Sequence, residues 1–346
     1  MNLKELTKRN PLLFDLLLLI KHRHDKTFLK QVYDLRSNPD LVELQVNTSG
    51  SKKEGILCQI EVGGENDGFF ALVRWVLDAL YFCDCYSLYP YIRFPSKNLY
   101  YDPEMPAELN TFDYYFQQPF SDTDIRPASY KTTIQYHSRN GLKAEAFNEG
   151  VSYHTTNAYI EEMARIWKKY LRFNESTQKN IESVLKKRSI DESVLGIHIR
   201  GTDYKLNCKN HPCYIAPSEY YEHIDLAFEK HHFQKLYIAT DDSDILSDFV
   251  KQYGSQNVLF AENISRGSGT QGVHTSQGQR TLHKYLLGLE VICDMCSLAA
   301  CGGLISSMSQ VSLASRIYKK STGANYRYDQ LLNKGINKNG NYFKAK

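Results

Sequence analysis

A short apolar run in the second half of the chain ends in charged residues that could bind a phosphate. The run extends from Leu195 to Ile199, and Arg200 and Asp203 follow it. Its alternating, β-branched pattern predicts a buried strand, and open α/β sheets bind ligands beyond the carboxyl ends of their strands. The planar guanidinium of Arg200 offers paired donors to the paired oxygens of a phosphate or diphosphate. The alternative is an ordinary strand whose Arg200 and Asp203 pair only with each other.

Polar residues also follow two later predicted strands and begin one later predicted helix. These residues are Asp241, Asp242, Glu262, Ser307, Ser309 and Gln310. Backbone N–H groups and serine hydroxyls at a helix N-terminus bind phosphate readily, and a glutamate can accept two hydrogen bonds from a guanine edge. Together with Arg200, these residues predict a crevice that binds a nucleoside diphosphate.

A glycine-containing loop in the first half could also contact a nucleotide. The sequence predicts a strand from Ile56 to Val62 and a helix from Phe69 to Phe82, and Gly63, Gly64 and Gly68 lie between them. A strand, a glycine loop and a buried helix are typical of a nucleotide-binding turn, although the full dinucleotide fingerprint is missing. A plain tight turn is the alternative.

Two clusters have the spacing of metal ligands, and each has a simpler interpretation. Asp242 and Asp244 lie at the start of a predicted helix, where helix capping explains Ser243 between them and the helix dipole explains the two acids. Cys208, His211 and Cys213 lack an evident fourth ligand for a structural zinc site. We expect no metal and no other cofactor, because Arg200 can neutralise a departing diphosphate.

Composition limits the class of protein. A chain of 346 residues that is 42% hydrophobic and 23% charged is typical of a soluble protein with two domains. Strands alternate with helices in both halves, on either side of a helical connector near residues 160–188, which predicts an α/β fold with parallel sheets. The net charge of +3, from 42 basic and 39 acidic residues, is too balanced to favour nucleic acid as the main partner.

The sequence contains no convincing targeting signal. The run from Leu12 to Ile20 is interrupted by Asp15 and falls short of the roughly 20 residues that span a bilayer. It predicts a packed N-terminal helix, with a membrane-surface anchor as the alternative. We therefore expect a cytoplasmic location. The cysteines in the apolar helices are expected to be buried thiols rather than disulfides; they are Cys83, Cys85, Cys293, Cys296 and Cys301.

Four motifs follow one another in the second half of the chain. They are His198 to Asp203, Tyr237 to Asp242, Phe260 to Asn263 and Ser307 to Val311. In composition and order they resemble the GDP-fucose-dependent fucosyltransferases, which include the α-1,6-fucosyltransferase and nodulation-protein-Z group and the protein O-fucosyltransferases. The resemblance covers mainly residues 194–318, with a looser match around residues 56–94.

The resemblance implies a GT-B fold, in which two Rossmann-like domains face each other across a cleft. It divides the chain into an N-terminal helical extension (1–54), an acceptor-side Rossmann-like domain with the helical connector (55–185), a GDP-sugar-binding domain (186–320) and a C-terminal tail (321–346). It also implies an inverting, metal-independent transfer of fucose from GDP-fucose to a glycan hydroxyl.

The resemblance assigns roles to particular residues. It implies that His198 and Arg200 contact GDP and that Glu262 reads guanine, while Asp241 belongs to the same donor site. It places the β-phosphate at Ser307, Ser309 and Gln310, and it brings Gly63, Gly64 and Gly68 to the nucleotide from the first domain.

Two departures from the resembled pattern concern the acceptor side. Relatives of the α-1,6 type often have a second arginine where this chain has Gly201, and they place a glutamate base shortly afterwards. Here the segment from Tyr204 to Pro217 contains no carboxylate. Some protein O-fucosyltransferases keep a carboxylate directly before a Gly-Phe pair, as in Asp67-Gly68-Phe69. We therefore predict Asp67 as the base, with Asp203 as the second choice.

The acceptor is not specified by these motifs. An oligosaccharide, a protein glycan or a lipid-linked glycan would each suit such an enzyme, and the last would bring it to a membrane surface. Two alternatives remain: a GT-B transferase that uses another nucleotide sugar, and an inactive nucleotide- or carbohydrate-binding module.

Overall fold

The computed structural model describes residues 45–47, 53–63, 67–120, 130–137, 156–262, 264–267 and 280–340, with scattered positions between 13 and 29. Most of the predicted N-terminal extension (1–54) and most of the predicted helix from Leu12 to Ile20 lie outside these residues. Gly64, Asn263 and residues 341–346 also lie outside them.

The first half contains a mixed sheet with one long helix. Its elements are β1 (Gln45–Asn47), β2 (Lys53–Glu61), α1 (Phe69–Cys85), β3 (Tyr89–Arg93), β4 (Phe116–Gln117) and β5 (Tyr130–His137). The sheet order is β1-β5-β2-β3, with β2 parallel to both neighbours and β1 antiparallel to β5. Helix α1 connects the parallel pair β2 and β3, so the predicted strand, loop and helix form one βαβ unit.

The second half follows two connecting helices and contains a parallel sheet. The elements are α2 (Asn157–Tyr170), β6 (Arg172–Phe173), α3 (Glu175–Arg188), β7 (Val194–Ile199), α4 (Ser218–His231), β8 (Lys235–Thr240), α5 (Ser243–Tyr253), β9 (Val258–Phe260), α6 (His283–Ala300), β10 (Gly303–Ser307), α7 (Gln310–Ser321) and β11 (Tyr328–Leu332). The sheet order is β11-β10-β7-β8-β9, and every pairing is parallel. The predicted α/β fold with parallel sheets is confirmed.

Strand β7 lies at the centre of this sheet, where helices cover both faces. All of its residues are buried, which explains the continuous apolar run in the sequence. Strand β11 lies within residues 321–346, the range expected to form a C-terminal tail. It pairs with β10 along its whole length, from Gly303–Tyr328 to Ser307–Leu332.

Helix α6 joins the two halves. Its first residues lack a side-chain cap of their own, since Leu282 precedes the helix in a left-handed conformation. Asp102 of the first half supplies the cap, because its Oδ2 accepts hydrogen bonds from the backbone N–H groups of Lys284 and Tyr285 at 3.0 and 3.3 Å. The Tyr115 hydroxyl also donates to the Tyr285 carbonyl at 2.9 Å. Most of the buried apolar side chains of α6 and α7 belong to the same core as α1.

The cysteines are free thiols, as expected. Cys83, Cys293, Cys296 and Cys301 are buried, but Cys85 is exposed at the end of α1, so the prediction of a buried thiol is wrong there. In the described part of the chain, none of the helices is both long and apolar enough to span a membrane.

Candidate functional site

A cavity of about 480 Å³ lies beside the start of α1 and the carboxyl ends of β7 and β8. Both halves of the chain line it. Its wall includes Asp67, Gly68, Phe69, Tyr100, His198, Arg200, Asp203, Thr240, Asp241, Ser309 and Gln310. Six of the predicted donor-site residues, and both predicted bases, therefore share one cavity.

Arg200 is held between two carboxylates. Its Nη1 lies 2.6 Å from Asp241 Oδ2, and its Nη2 lies 3.1 Å from Asp203 Oδ1. Burial alone would lower the pKa of Arg200, but Asp241 and Asp203 raise it, and the net shift is upward. The internal ion pair considered from the sequence is present, and it fixes a charged guanidinium that still forms part of the cavity wall.

Asp241 also organises the backbone after β7. Its Oδ1 accepts a hydrogen bond from Gly201 N at 2.9 Å, and its Oδ2 accepts one from Thr202 Oγ1 at 2.7 Å. The register explains this contact, because Ile199 lies opposite Thr240 in the pairing of β7 with β8. The structure thus gives Asp241 a positioning role toward Arg200.

His198 is buried next to the start of α7. Its Nδ1 lies 3.2 Å from Ser309 Oγ, and its carbonyl accepts a hydrogen bond from the Tyr220 hydroxyl at 3.2 Å. Burial, and then the charge of Arg200, lower the pKa of His198 to about 3. The imidazole is therefore neutral at physiological pH and can act as a hydrogen-bonding partner without adding charge.

This shift makes His198 a source of acid sensitivity. Its folded-state pKa of about 3 lies below the ordinary value of 6.5, so the unfolded chain binds the proton first as pH falls. We expect His198 to stabilise the fold fully above about pH 6.5 and to lose that contribution progressively toward pH 3. Melting temperatures of the wild type and His198→Gln between pH 7.5 and pH 4.5 measure it; the variant should show the shallower decline. Equal slopes would contradict the prediction, and His223→Gln on α4 serves as the control.

The start of α7 has an ordered N-terminus. Ser309 is its cap, since the Ser309 hydroxyl accepts a hydrogen bond from Ser312 N at 3.0 Å. Ser309 and Gln310 line the cavity, whereas Ser307 is buried at the end of β10 and is not among the lining residues. Backbone N–H groups at such a helix N-terminus bind anions in other proteins.

The glycine loop reaches the cavity through its second part. Gly68 precedes α1 and lines the wall beside Asp67, whereas Gly63 does not line it, and Gly64 lies outside the described residues. Tyr100 accepts a hydrogen bond from Phe69 N at 2.8 Å, and burial raises the pKa of its phenol to about 12. Sequence reasoning missed Tyr100, because no local motif marks it.

Glu262, the predicted guanine reader, is not brought to the cavity wall. It follows β9, the edge strand of the second sheet, and its side chain is 62% exposed. Its Oε2 lies 3.2 Å from Lys187 Nζ on α3. The described wall instead carries two acidic residues of α6, Glu290 and Asp294.

Asp294 belongs to a buried polar cluster that the sequence did not indicate. Its Oδ1 accepts a hydrogen bond from the Tyr237 hydroxyl at 2.6 Å, and Arg188 Nη1 lies 3.4 Å away. Burial raises the pKa of Asp294 above its ordinary value, against the opposing effects of Arg188 and Tyr237.

The capping interpretation named Ser243 as the N-cap of α5, but the cap is Asp242. Its Oδ1 accepts from Asp244 N at 2.9 Å and from Ile245 N at 3.3 Å, and its Oδ2 lies 2.6 Å from Lys205 Nζ. Within the described ranges, no three His, Cys, Asp or Glu side chains are grouped so that they could hold a metal ion.

The family comparison covers slightly less than half of the chain, and the matched part carries most of this site. Residues 150–312 match the family described as "Alpha-(1,6)-fucosyltransferase N- and catalytic domains". The matched segment is fucosyltransferase-like. The match confirms the resemblance predicted from the four motifs and supports a glycosyltransferase. This fucosyltransferase-like segment runs through His198, Arg200, Asp241 and Ser309, whereas Asp67 lies outside it.

Solved structures of fucosyltransferases share only low similarity with the chain. NodZ α-1,6-fucosyltransferase soaked with GDP-fucose is 13% identical over 77% of this chain and 93% of its own, with a TM-score of 0.44. NodZ from Bradyrhizobium is 12% identical over 78% of this chain and 93% of its own, with a TM-score of 0.42. POFUT1 in complex with GDP is 10% identical over 82% of this chain and 99% of its own, with a TM-score of 0.43. At this level of similarity, no residue role is assigned to this chain from these structures. A search of curated proteins found no significant match.

The groups that line the cavity are suited to binding a phosphorylated ligand. A fixed guanidinium and a capped helix N-terminus line the same cavity, and both favour a group with dense negative charge. Neutral His198 and carboxylates on both sides of the cavity add hydrogen-bonding and proton-accepting groups. Such a set can hold a diphosphate and stabilise it as it departs.

Proposed function

We propose that the protein is a GT-B glycosyltransferase that transfers fucose from GDP-fucose to a glycan hydroxyl, with inversion at the sugar carbon and without a metal ion. One observation carries the proposal: Arg200, clamped by Asp203 and Asp241, lines the same cavity as the N-terminus of α7. The match of residues 150–312 to the fucosyltransferase family supports it.

The donor diphosphate would lie between Arg200 and the start of α7. An acceptor oxygen attacks C1 of the sugar and forms the new bond, while the bond from C1 to the β-phosphate oxygen breaks and leaves its electron pair on GDP. Arg200 and the backbone N–H groups near Ser309 stabilise the charge that develops there. Because these groups are fixed before reaction, they need little reorganisation when the charge appears, and they supply the neutralisation that a metal ion supplies in other transferases.

The predicted bases have different surroundings. Asp203 is only 9% exposed and is engaged with Arg200, so its carboxylate helps to hold the guanidinium. Asp67 lines the cavity from the first half, opposite the fucosyltransferase-like segment. A base on that side would meet an acceptor hydroxyl that enters between the two halves.

Donor selectivity provides the direct test. We expect GDP, but neither UDP nor ADP, to stabilise the protein by about 2.7 kcal/mol when free GDP exceeds its Kd a hundredfold. Thermal unfolding with each nucleotide measures this, and incubation with GDP-fucose and a glycan panel, in buffer with EDTA, measures transfer. Stabilisation by UDP alone would indicate another nucleotide-sugar transferase. GDP binding with neither transfer nor hydrolysis of GDP-fucose would indicate an inactive binding module.

A further inference from the structure

The proposed reaction needs a group that takes the proton of the acceptor hydroxyl, and the loop after the Arg200 motif contains a residue suited to this task. His211 lies on this loop, eight residues after Asp203, in the segment from Tyr204 to Pro217 that has no carboxylate. The imidazole is half-buried and lines the same cavity as Arg200 and Asp203. It was considered above only as a zinc ligand, and the described structure shows no metal-binding group there.

We propose that His211, rather than Asp67, is the general base of the transfer reaction. In the reaction, the acceptor O–H bond breaks and its proton passes to a ring nitrogen of His211. The acceptor oxygen then keeps the electron pair with which it bonds to C1 of the sugar. The inference rests on the proposed function and assigns a residue to a step that the Arg200 motif leaves without one.

The charges around His211 support this role. Burial, together with the charge of Arg200, lowers its pKa, while the neighbouring carboxylate of Asp203 opposes the shift. The ring is therefore neutral near pH 7, as a base must be, and Asp203 stabilises the imidazolium that forms on proton transfer. This is the logic by which a carboxylate assists a catalytic histidine in hydrolases.

The backbone around His211 is fixed by the C-terminal segment. Asn337 N donates to the His211 carbonyl at 2.9 Å, and Asn210 N donates to the Asn337 carbonyl at 2.9 Å. Cys213 N also donates to the Gly335 carbonyl at 3.0 Å. These hydrogen bonds come from residues after β11, beyond the family match. They hold the loop in one place, which a catalytic base requires.

The groups that contact His211 are mostly uncharged. The Tyr204 ring contacts it edge-on, with 6.3 Å between centroids, and the Cys208 carbonyl accepts from His211 N at 3.1 Å. The segment from Gly335 to Asn337 contributes backbone groups and the Asn337 amide, none of which is charged. Asp203 and Arg200 are thus the charges that set the protonation of the ring.

The test compares His211→Gln with Asp67→Asn and with the control His223→Gln. We expect His211→Gln to lower kcat for transfer by about a hundredfold or more, to keep the Kd for GDP, and to lose the acid limb of the wild-type pH profile. Asp67→Asn and His223→Gln should keep that limb. Added imidazole should restore part of the activity of His211→Ala and none of that of Arg200→Ala.

The outcomes separate this inference from the proposed function. If the wild type neither binds GDP nor transfers fucose, the proposed function is wrong. If the wild type is active and His211→Gln keeps its rate and its acid limb, the proposed base is wrong while the transferase remains. Loss of the acid limb in Asp67→Asn alone would return the role to Asp67.

Discussion

Arg200→Ala is expected to lower kcat/KM for fucose transfer from GDP-fucose by about a thousandfold, which corresponds to about 4 kcal/mol of transition-state stabilisation. The guanidinium is oriented by Asp203 and Asp241 before the donor arrives. Its charge acts on the diphosphate most strongly when the sugar bond breaks, so kcat should fall together with kcat/KM. Steady-state kinetics with a defined glycan acceptor measures both constants.

Stability must be separated from catalysis in this experiment. Removing Arg200 takes away the guanidinium that pairs with both Asp203 and Asp241, and breaking a buried ion pair can cost about 3–5 kcal/mol. Arg200→Lys keeps a positive charge but loses the planar fork, so it should fold better than Arg200→Ala and still transfer poorly. Arg172→Ala, at an exposed position of β6, is the control. An Arg200→Ala protein that is folded and fully active would refute the diphosphate site.

Much of this site follows from local sequence. The buried run before Arg200 has the pattern of a central parallel strand, and the Tyr237 to Asp242 motif has the pattern of its neighbour. Once the two strands are adjacent, their carboxyl ends must meet, and Arg200 and Asp241 come together. The sequence does not show that Asp241 also binds Gly201 N and Thr202 Oγ1, because these contacts depend on the backbone turn after β7.

Other parts of the site depend on contacts between distant segments. Glu262 has the right place in its motif, but β9 is an edge strand, and its end turns toward Lys187 on α3. His211 and Tyr100 lie in loops whose positions are set by residues far along the chain. For His211 those residues are Gly335 and Asn337, in the range 321–346 that was expected to be only a C-terminal tail.

The two halves are less separate in the structure than the sequence pattern predicts. The alternation of strands and helices predicts a boundary near the connector, where α2 and α3 lie. Sequence patterns show that α6 is apolar, but they do not show which core it joins. Asp102 caps α6 across that boundary, so the first half contributes directly to the order of a helix that lines the cavity.

Gly201 is the position where relatives of the α-1,6 type often have a second arginine, and the structure explains the glycine. A Cβ atom at Gly201 would lie 2.4 Å from Asp242 Cβ and 2.7 Å from Asp242 Oδ2. Asp242 cannot easily move away, since it is completely buried, caps α5 and pairs with Lys205. The backbone at Gly201 and the backbone at Asp242 approach so closely that no space remains for an arginine side chain at position 201.

Gly201→Ala is therefore expected to lower the free energy of unfolding by about 1–3 kcal/mol and to weaken GDP binding, because Gly201 N also orients Asp241. Gly201→Arg should cost more. Gly68→Ala is the matched control for stability, on the opposite wall: a Cβ there meets nothing within 4 Å, and its φ of −65° suits any residue. Chemical denaturation and GDP titration measure both effects, and equal stability of the two variants would contradict the steric explanation.

A double-mutant cycle locates the clash within Asp242. Asp242→Ser keeps the Cβ and should leave most of the cost of Gly201→Ala in place. Asp242→Gly loses the cap of α5 and the Lys205 pair, so it is destabilising alone, but it removes the atom that Gly201→Ala would strike. The cost of Gly201→Ala should therefore be smaller in the Asp242→Gly background than in the wild type, with a coupling energy of about 1 kcal/mol or more. Additive costs would mean that the strain at Gly201 arises from its own backbone rather than from Asp242.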